Sequence, residues 1–256
     1  TEGYRIVTTE RTLVCAVVEV LSKLTGRCQT TPNVFLELKR LKMVVCGGTI
    51  NSLFTGTTVN DLDFYMKDPS LVKECEEFLS SWFPLKSMVT TNAITFQRKS
   101  DKSTKKWTAQ LITRFTGEPR EIFEWFDFTV THGAFDFEKE EFVFGDRFFP
   151  DIAKRKLVYS GSSRYPICAM YRTKKYVERG YSLSGATIMH IALSIVQLKI
   201  STYRELKEQL MGIDTMYLQG LLNAKDPDAP VEYGEFMDEA FKRIDSINGN
   251  TKAESA

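Results

Sequence analysis

Residues 43–66 read MVVCGGTINSLFTGTTVNDLDFYM, and this stretch restricts the fold more than any other. Met43-Val44-Val45-Cys46 is a short apolar run, which predicts a buried strand. It ends in Gly47-Gly48, which opens a helical stretch. Residues 61–66 then alternate acid and apolar side chains at period two, which predicts a second strand with Asp61 and Asp63 on one face. Strand, paired-glycine turn, helix and strand thus follow within 24 residues. The paired glycines let backbone N–H groups approach a polyphosphate with no Cβ in the way. The helix they open adds the positive end of its dipole. Two carboxylates side by side repel unless a cation lies between them, and hard Mg²⁺ with carboxylate and triphosphate oxygens is the natural partner. Such a pair facing a phosphate-cradling turn suits two-metal phosphoryl transfer.

The rest of the chain predicts an α+β front part and an all-helical back part. Helical spacing covers 10–24, and a second helix starts at Thr31-Pro32. A helix is predicted from about Pro69 to Trp82. Strands are predicted at 93–97 and 107–113 around the polar hairpin RKSDKSTKK. A short helix follows near Pro119–Glu124, then strands at 126–131 and 141–145. From about residue 148 the period becomes helical, with helices at 150–158, 166–179, 184–199, 202–211, 214–223 and 232–245. The turn-rich SGSSRYP places a domain boundary near 160, giving a front domain 1–160 and a helical domain 161–256.

Composition excludes several classes. With 34 basic and 33 acidic residues the net charge is +1, so no strongly basic nucleic-acid coat is indicated, although a local basic patch is compatible. No run of 18 apolar residues occurs, so no transmembrane helix is expected, and the N-terminus carries no secretory pattern. The five cysteines include no CxxC pair; that predicts reduced thiols in a cytoplasmic setting and argues against zinc. The 18 phenylalanines and 10 tyrosines fall mostly at core periodicity and are assigned to packing.

The segment 47–65 resembles GG-x-V-R-D-x-L-L-G-x4-D-x-D, the head-domain signature of the class II tRNA CCA-adding enzyme and bacterial poly(A) polymerase group. That group belongs to the DNA polymerase β-like nucleotidyltransferase superfamily. Gly47, Gly48, Ile50, Leu53, Gly56, Asp61 and Asp63 fall in register. FDFTVTHGAF, 126–135, resembles the group's RRDFTINALAY, with Asp127, Phe128, Thr129 and Ala134 kept. Residues 145–161 resemble the stretch that follows, and 166–183 resemble the neck helix. Asn51-Ser52 stand where the group has Arg-Asp, Trp125-Phe126 where it has Arg-Arg, and Thr131 where it has Asn. Cys168 stands where the base-selecting neck motif would place its Arg. These departures argue against CCA addition as such and leave nucleotidyl transfer standing.

The resemblance implies a metal-dependent nucleotidyltransferase, moving NMP from an NTP to an acceptor hydroxyl with release of pyrophosphate. Asp61 and Asp63 would hold Mg²⁺, and Gly47 and Gly48 would seat the triphosphate with Asn51 and Ser52 beside them. The superfamily also wants a third carboxylate. Strand 107–113 has none, only Gln110 and polar neighbours, so Asp127 is the candidate for the second metal; the other reading of Asp127 is a buried acid bracing a turn. Arg172, Lys175 and Arg179 share a helix face by spacing, either gripping phosphates or simply solvated. The hairpin lysines Lys102, Lys105 and Lys106 are candidates for acceptor contact. The acceptor implied is an RNA 3′ end; a protein side chain, a small molecule, or regulatory nucleotide binding without turnover are the alternatives.

Overall fold

A computed structural model of the chain describes residues 4–8, 31–57, 59, 61–90, 92–99, 106–210 and 216–240. The contacts divide it into two compact units, Thr1–Ser162 and Ser163–Ala256. The helix expected at 10–24 lies outside the described residues.

In the first unit eight strands form one sheet. They are β1 (Tyr4–Thr8), β2 (Met43–Cys46), β3 (Asp61–Met66), β4 (Leu85–Val89), β5 (Ala93–Lys99), β6 (Lys106–Thr116), β7 (Gly133–Asp136) and β8 (Glu141–Gly145). Their order is β1-β8-β7-β2-β3-β6-β5-β4. β3 and β6 run parallel, and the other neighbouring pairs antiparallel. The expected mixed α+β front part is observed.

Helices α1 (Thr31–Arg40), α2 (Gly48–Thr55) and α3 (Val72–Trp82) cover one face. That face takes every second residue of the central strands: Val45, Leu62, Phe64, Phe96, Ala109, Leu111 and Phe135. Phe54 of α2 packs edge-on against Phe142, Phe144 and Phe148, with ring centroids 5.2–6.0 Å apart. The offset-edge geometry suits the ring quadrupoles, and it anchors α2 over the sheet. The aromatic load does go into packing: of the twelve largest fully buried side chains, ten are phenylalanines. The short α4 (Pro119–Phe123) brings Ile122 and Phe123 onto the other face, against Val44, Cys46, Tyr65, Ala134 and Val143. A capping box between Glu118 and Glu121 starts that helix.

The structure corrects two expectations. The strand predicted at 126–131 is instead a bend at Asp127, a single bridge between Phe128 and Tyr159, and a 3₁₀ turn over Thr129–Thr131. Side chains there compete for the backbone. Thr131 Oγ1 donates to the Phe128 carbonyl at 2.7 Å, and Asn51 Nδ2 donates to the Val130 carbonyl at 2.9 Å. The pairing slot beside β2 is filled by β7, which the reading omitted. The helix predicted at 150–158 spans only α5 (Phe148–Ala153), because Arg155 turns into the left-handed region at φ 48°.

The second unit is helical, as expected for the back part. It comprises α6 (Pro166–Glu178), α7 (Gly185–Gln197), α8 (Tyr203–Gln209), α9 (Met216–Leu222) and helical residues 233–240. Its core gathers Tyr203, Leu206, Leu210, Leu222 and Phe236. A capping box formed by Thr202 and Glu205 starts α8, satisfying N–H groups that the helix itself leaves over.

Candidate active site

The candidate site is built where β2 stops and α2 starts. β2 lies antiparallel to β3 with Val45 opposite Phe64, and Cys46 and Asp63 are the residues next to that pair on the two strands. The chain then bends at Gly47, with φ 76° and ψ −128°, a conformation that L-residues with a Cβ rarely adopt. An added Cβ at Gly47 would make only ordinary contact with the Phe126 ring, at 3.5 Å, so the backbone conformation is what calls for glycine. The Gly47 N–H donates to the Gly133 carbonyl at 3.0 Å, which ties the bend to β7. Gly133 has its own steric reason: a Cβ there would come within 2.7 Å of Phe148 and 2.8 Å of Ile50.

From the bend, α2 begins at once. Its first helical bond runs from Asn51 N–H to the Gly47 carbonyl at 3.0 Å, so the N–H groups of Gly48, Thr49 and Ile50 precede the ladder. No side chain caps this end. Gly48 is half-exposed with open space above its Cα. Thr49 Oγ1 donates to the Asp61 carbonyl at 3.1 Å, fastening the helix start to the strand that carries the acids. The far end of α2 closes on Gly56 in the left-handed conformation, whose N–H returns to Ser52.

Asp61 and Asp63 are half-exposed, while Leu62 and Phe64 between and after them are buried. The acids therefore face away from the aromatic core. The Cys46 thiol is pushed well up, first by complete burial and then by the charges of Asp63 and Asp136. Asp63 thus acts on the same sheet face as Cys46, one residue before the glycine bend. Acid pair and bend lie together at one end of the sheet.

The other sequence candidates divide. Asn51 is 1% and Ser52 3% exposed; the Asn51 amide is spent on Val130 and holds the 3₁₀ turn against α2. Asp127 is 6% exposed in the bend ahead of that turn. Its carbonyl accepts from Ser160 N–H at 2.8 Å, and its charge is felt by His132. Burial holds the His132 imidazole down to about 4 against the opposing pull of the Phe126 carbonyl and Asp127. Its ring lies flat on Phe123, 5.5 Å between centroids. Among the described residues no three His, Cys, Asp or Glu side chains form a metal-holding group. Lys102 and Lys105 lie outside the described residues. Lys106 opens β6 in register with Lys99, two residues beyond Thr108, the partner of Asp61. Arg172, Lys175 and Arg179 belong to the second unit, all half-buried; the Arg179 guanidinium lies 5.9 Å from the Tyr176 ring.

Sequence reading missed Thr49 and the residues beside the acids. Asp61 is paired with Thr108 and Asp63 with Gln110 on β6. The polar alternation Thr108, Gln110 in the predicted strand 107–113 was the available signal, but register between distant strands is not written in either strand alone.

Two kinds of likeness now bear on the chain. Two solved structures of CCA-adding enzyme, one complexed with ATP and one with CTP, each superpose at TM-score 0.51 and 14% identity. The first covers 89% of this chain and 53% of the enzyme; the second covers 79% and 54%. The fold is therefore that of these CCA-adding enzymes. In sequence, Gabija anti-defense 2 from Bacillus phage SPbetaL7 is 33% identical over 177 residues, 69% of this chain and 43% of the relative. The chain thus spans less than half the length of that relative. The Gabija anti-defense 2 family model matches residues 18–155, more than half of the chain, and the protein belongs to that family.

Proposed function

We propose that the first unit is a nucleotidyltransferase that transfers NMP from an NTP to an acceptor hydroxyl, and that it does so to counter a host defence. The observation that carries the reading is the acid pair of β3 set beside the Gly47–Gly48 bend and the uncapped start of α2. The donor set fits a divalent cation: two neighbouring, half-exposed carboxylates with open space above Gly48 for the anionic partner. Asp61 and Asp63 would hold Mg²⁺, whose contribution when bound is to neutralise charge on the triphosphate. The N–H groups at the start of α2 would orient the phosphates, aided by the helix dipole. The acceptor oxygen forms a bond to the α-phosphorus while the α–β bridging P–O bond breaks, the hydroxyl proton passes to solvent, and pyrophosphate leaves. Positioning and charge stabilisation supply most of the rate.

The family name supports a target within the Gabija defence, which makes a protein hydroxyl an acceptor to set beside an RNA 3′ end. The register that sets the paired positions Lys99 and Lys106 two residues beyond Thr108, the partner of Asp61, supports RNA. The test incubates the chain with α-phosphate-labelled NTPs, Mg²⁺, RNA and purified Gabija proteins. Label is expected on one of these with wild type and on none with Asp61→Asn/Asp63→Asn. If neither protein labels anything, transfer is wrong.

A second reading is nucleotide binding without turnover. It is favoured by the buried engagement of Asn51 and by uncharged Trp125-Phe126 ahead of Asp127. Saturable, Mg²⁺-dependent NTP binding with no labelled product supports it.

A further inference from the structure

The strand on the far side of the acid pair from the glycine bend, β6, carries no carboxylate. In the parallel register of β3 and β6, Asp63 is paired with Gln110 and Asp61 with Thr108. Paired residues of a sheet leave by the same face, so a neutral amide stands beside Asp63 and a hydroxyl-bearing residue beside Asp61. The next strand continues the pattern, with Thr95 paired with Gln110 and Gln97 with Thr108. Gln110 is half-exposed, as the acids are. No three His, Cys, Asp or Glu side chains among the described residues form a metal-holding group. Among the described residues the site thus offers two carboxylate charges, which in the nucleotide-free protein match one divalent cation.

From this juxtaposition we infer that Gln110 makes this a one-cation site, in place of the two-metal arrangement expected from sequence. The inference rests on the reading of Asp61 and Asp63 as cation ligands. Gln110 is a positioning residue here: its carbonyl oxygen is a weak neutral donor beside Asp63 and leaves the second cation without a carboxylate.

Manganese is the probe. Free Mn²⁺ is counted by its paramagnetic resonance signal while the nucleotide-free protein is titrated. Wild type and Gln110→Ala are expected to bind one ion per chain. Gln110→Glu is expected to bind a second ion, or the first about tenfold more tightly, because a third carboxylate joins the pair. Its thermal midpoint should fall below wild type without divalent ions, since like charges stand directly across the ladder, and recover with Mn²⁺. If that variant does not fold, Gln110→Asp takes its place. Two ions or none on wild type, or a carboxylate at 110 that changes neither count, affinity nor Mn²⁺-dependent stability, overturns the inference. Two ions together with label transfer would defeat the one-cation site alone. One ion without transfer would defeat the transfer reading alone.

Discussion

The two faces of the central sheet are made by the same strands and obey opposite rules. On β3, Leu62 and Phe64 enter the aromatic core while Asp61 and Asp63 leave on the other side. On β6, Ala109 and Leu111 are fully buried while Thr108 and Gln110 are half-exposed. One face is built to exclude water, and it does so with close-packed rings. The opposite face stays apolar where α4 covers it and turns polar at the end where β2 gives way to the glycine bend. The polar patch lies outside the aromatic packing, and two adjacent acids repel one another. Stability is therefore expected to reside on one face and chemistry on the other.

The largest separation of the two should come from substitutions one residue apart. Asp63→Asn is expected to lower transfer by about 10²–10³-fold, the range for removing one preorganised electrostatic group. Its unfolding free energy should stay within about 1 kcal/mol of wild type. Phe64→Ala should do the reverse and lose about 3–5 kcal/mol in urea unfolding. Equal losses of stability from both would break the comparison.

His132, stacked on Phe123, tests the part of that face that α4 covers. Its imidazole is held to about 4 against an ordinary 6.5, so the unfolded chain takes up a proton that the folded one refuses. Stability should fall as the pH drops from 6.5 toward 4, by roughly 3 kcal/mol, and show no His132 contribution above 6.5. Urea midpoints across that window should slope less in His132→Phe, which keeps the stacking on Phe123. Identical slopes would show that the ring is not buried as described.

Gly47→Ala should cost about 1–3 kcal/mol, because the bend sits at φ 76°. Gly48→Ala, with open space above it and an ordinary helical position, should change stability by less than about 1 kcal/mol. Thermal unfolding of the two variants side by side sharpens the point that only the first glycine is structural.

How much of this was legible beforehand follows from where each signal is stored. β2, β3 and β8 were readable because a short apolar run or a period-two alternation is local to the segment. The acid pair and its glycine bend were readable for the same reason. The 3₁₀ turn at 129–131 was not, since FDFTVT alternates Phe with Asp and then Thr with Val, as a strand would. What decides it is Asn51, 79 residues away in sequence, donating to the Val130 carbonyl. The lack of a carboxylate on the strand beside Asp63 was visible, but its meaning needed the register that puts Gln110 there.

The most direct test of the central claim is calorimetric titration with an NTP whose α–β bridge is a non-cleavable methylene, with and without Mg²⁺. Wild type is predicted to bind it only when Mg²⁺ is present, and Asp61→Asn/Asp63→Asn, folded by circular dichroism, to bind at least tenfold more weakly. Binding of equal strength by both proteins, or binding indifferent to Mg²⁺, would contradict a site formed by the acid pair and the glycine bend.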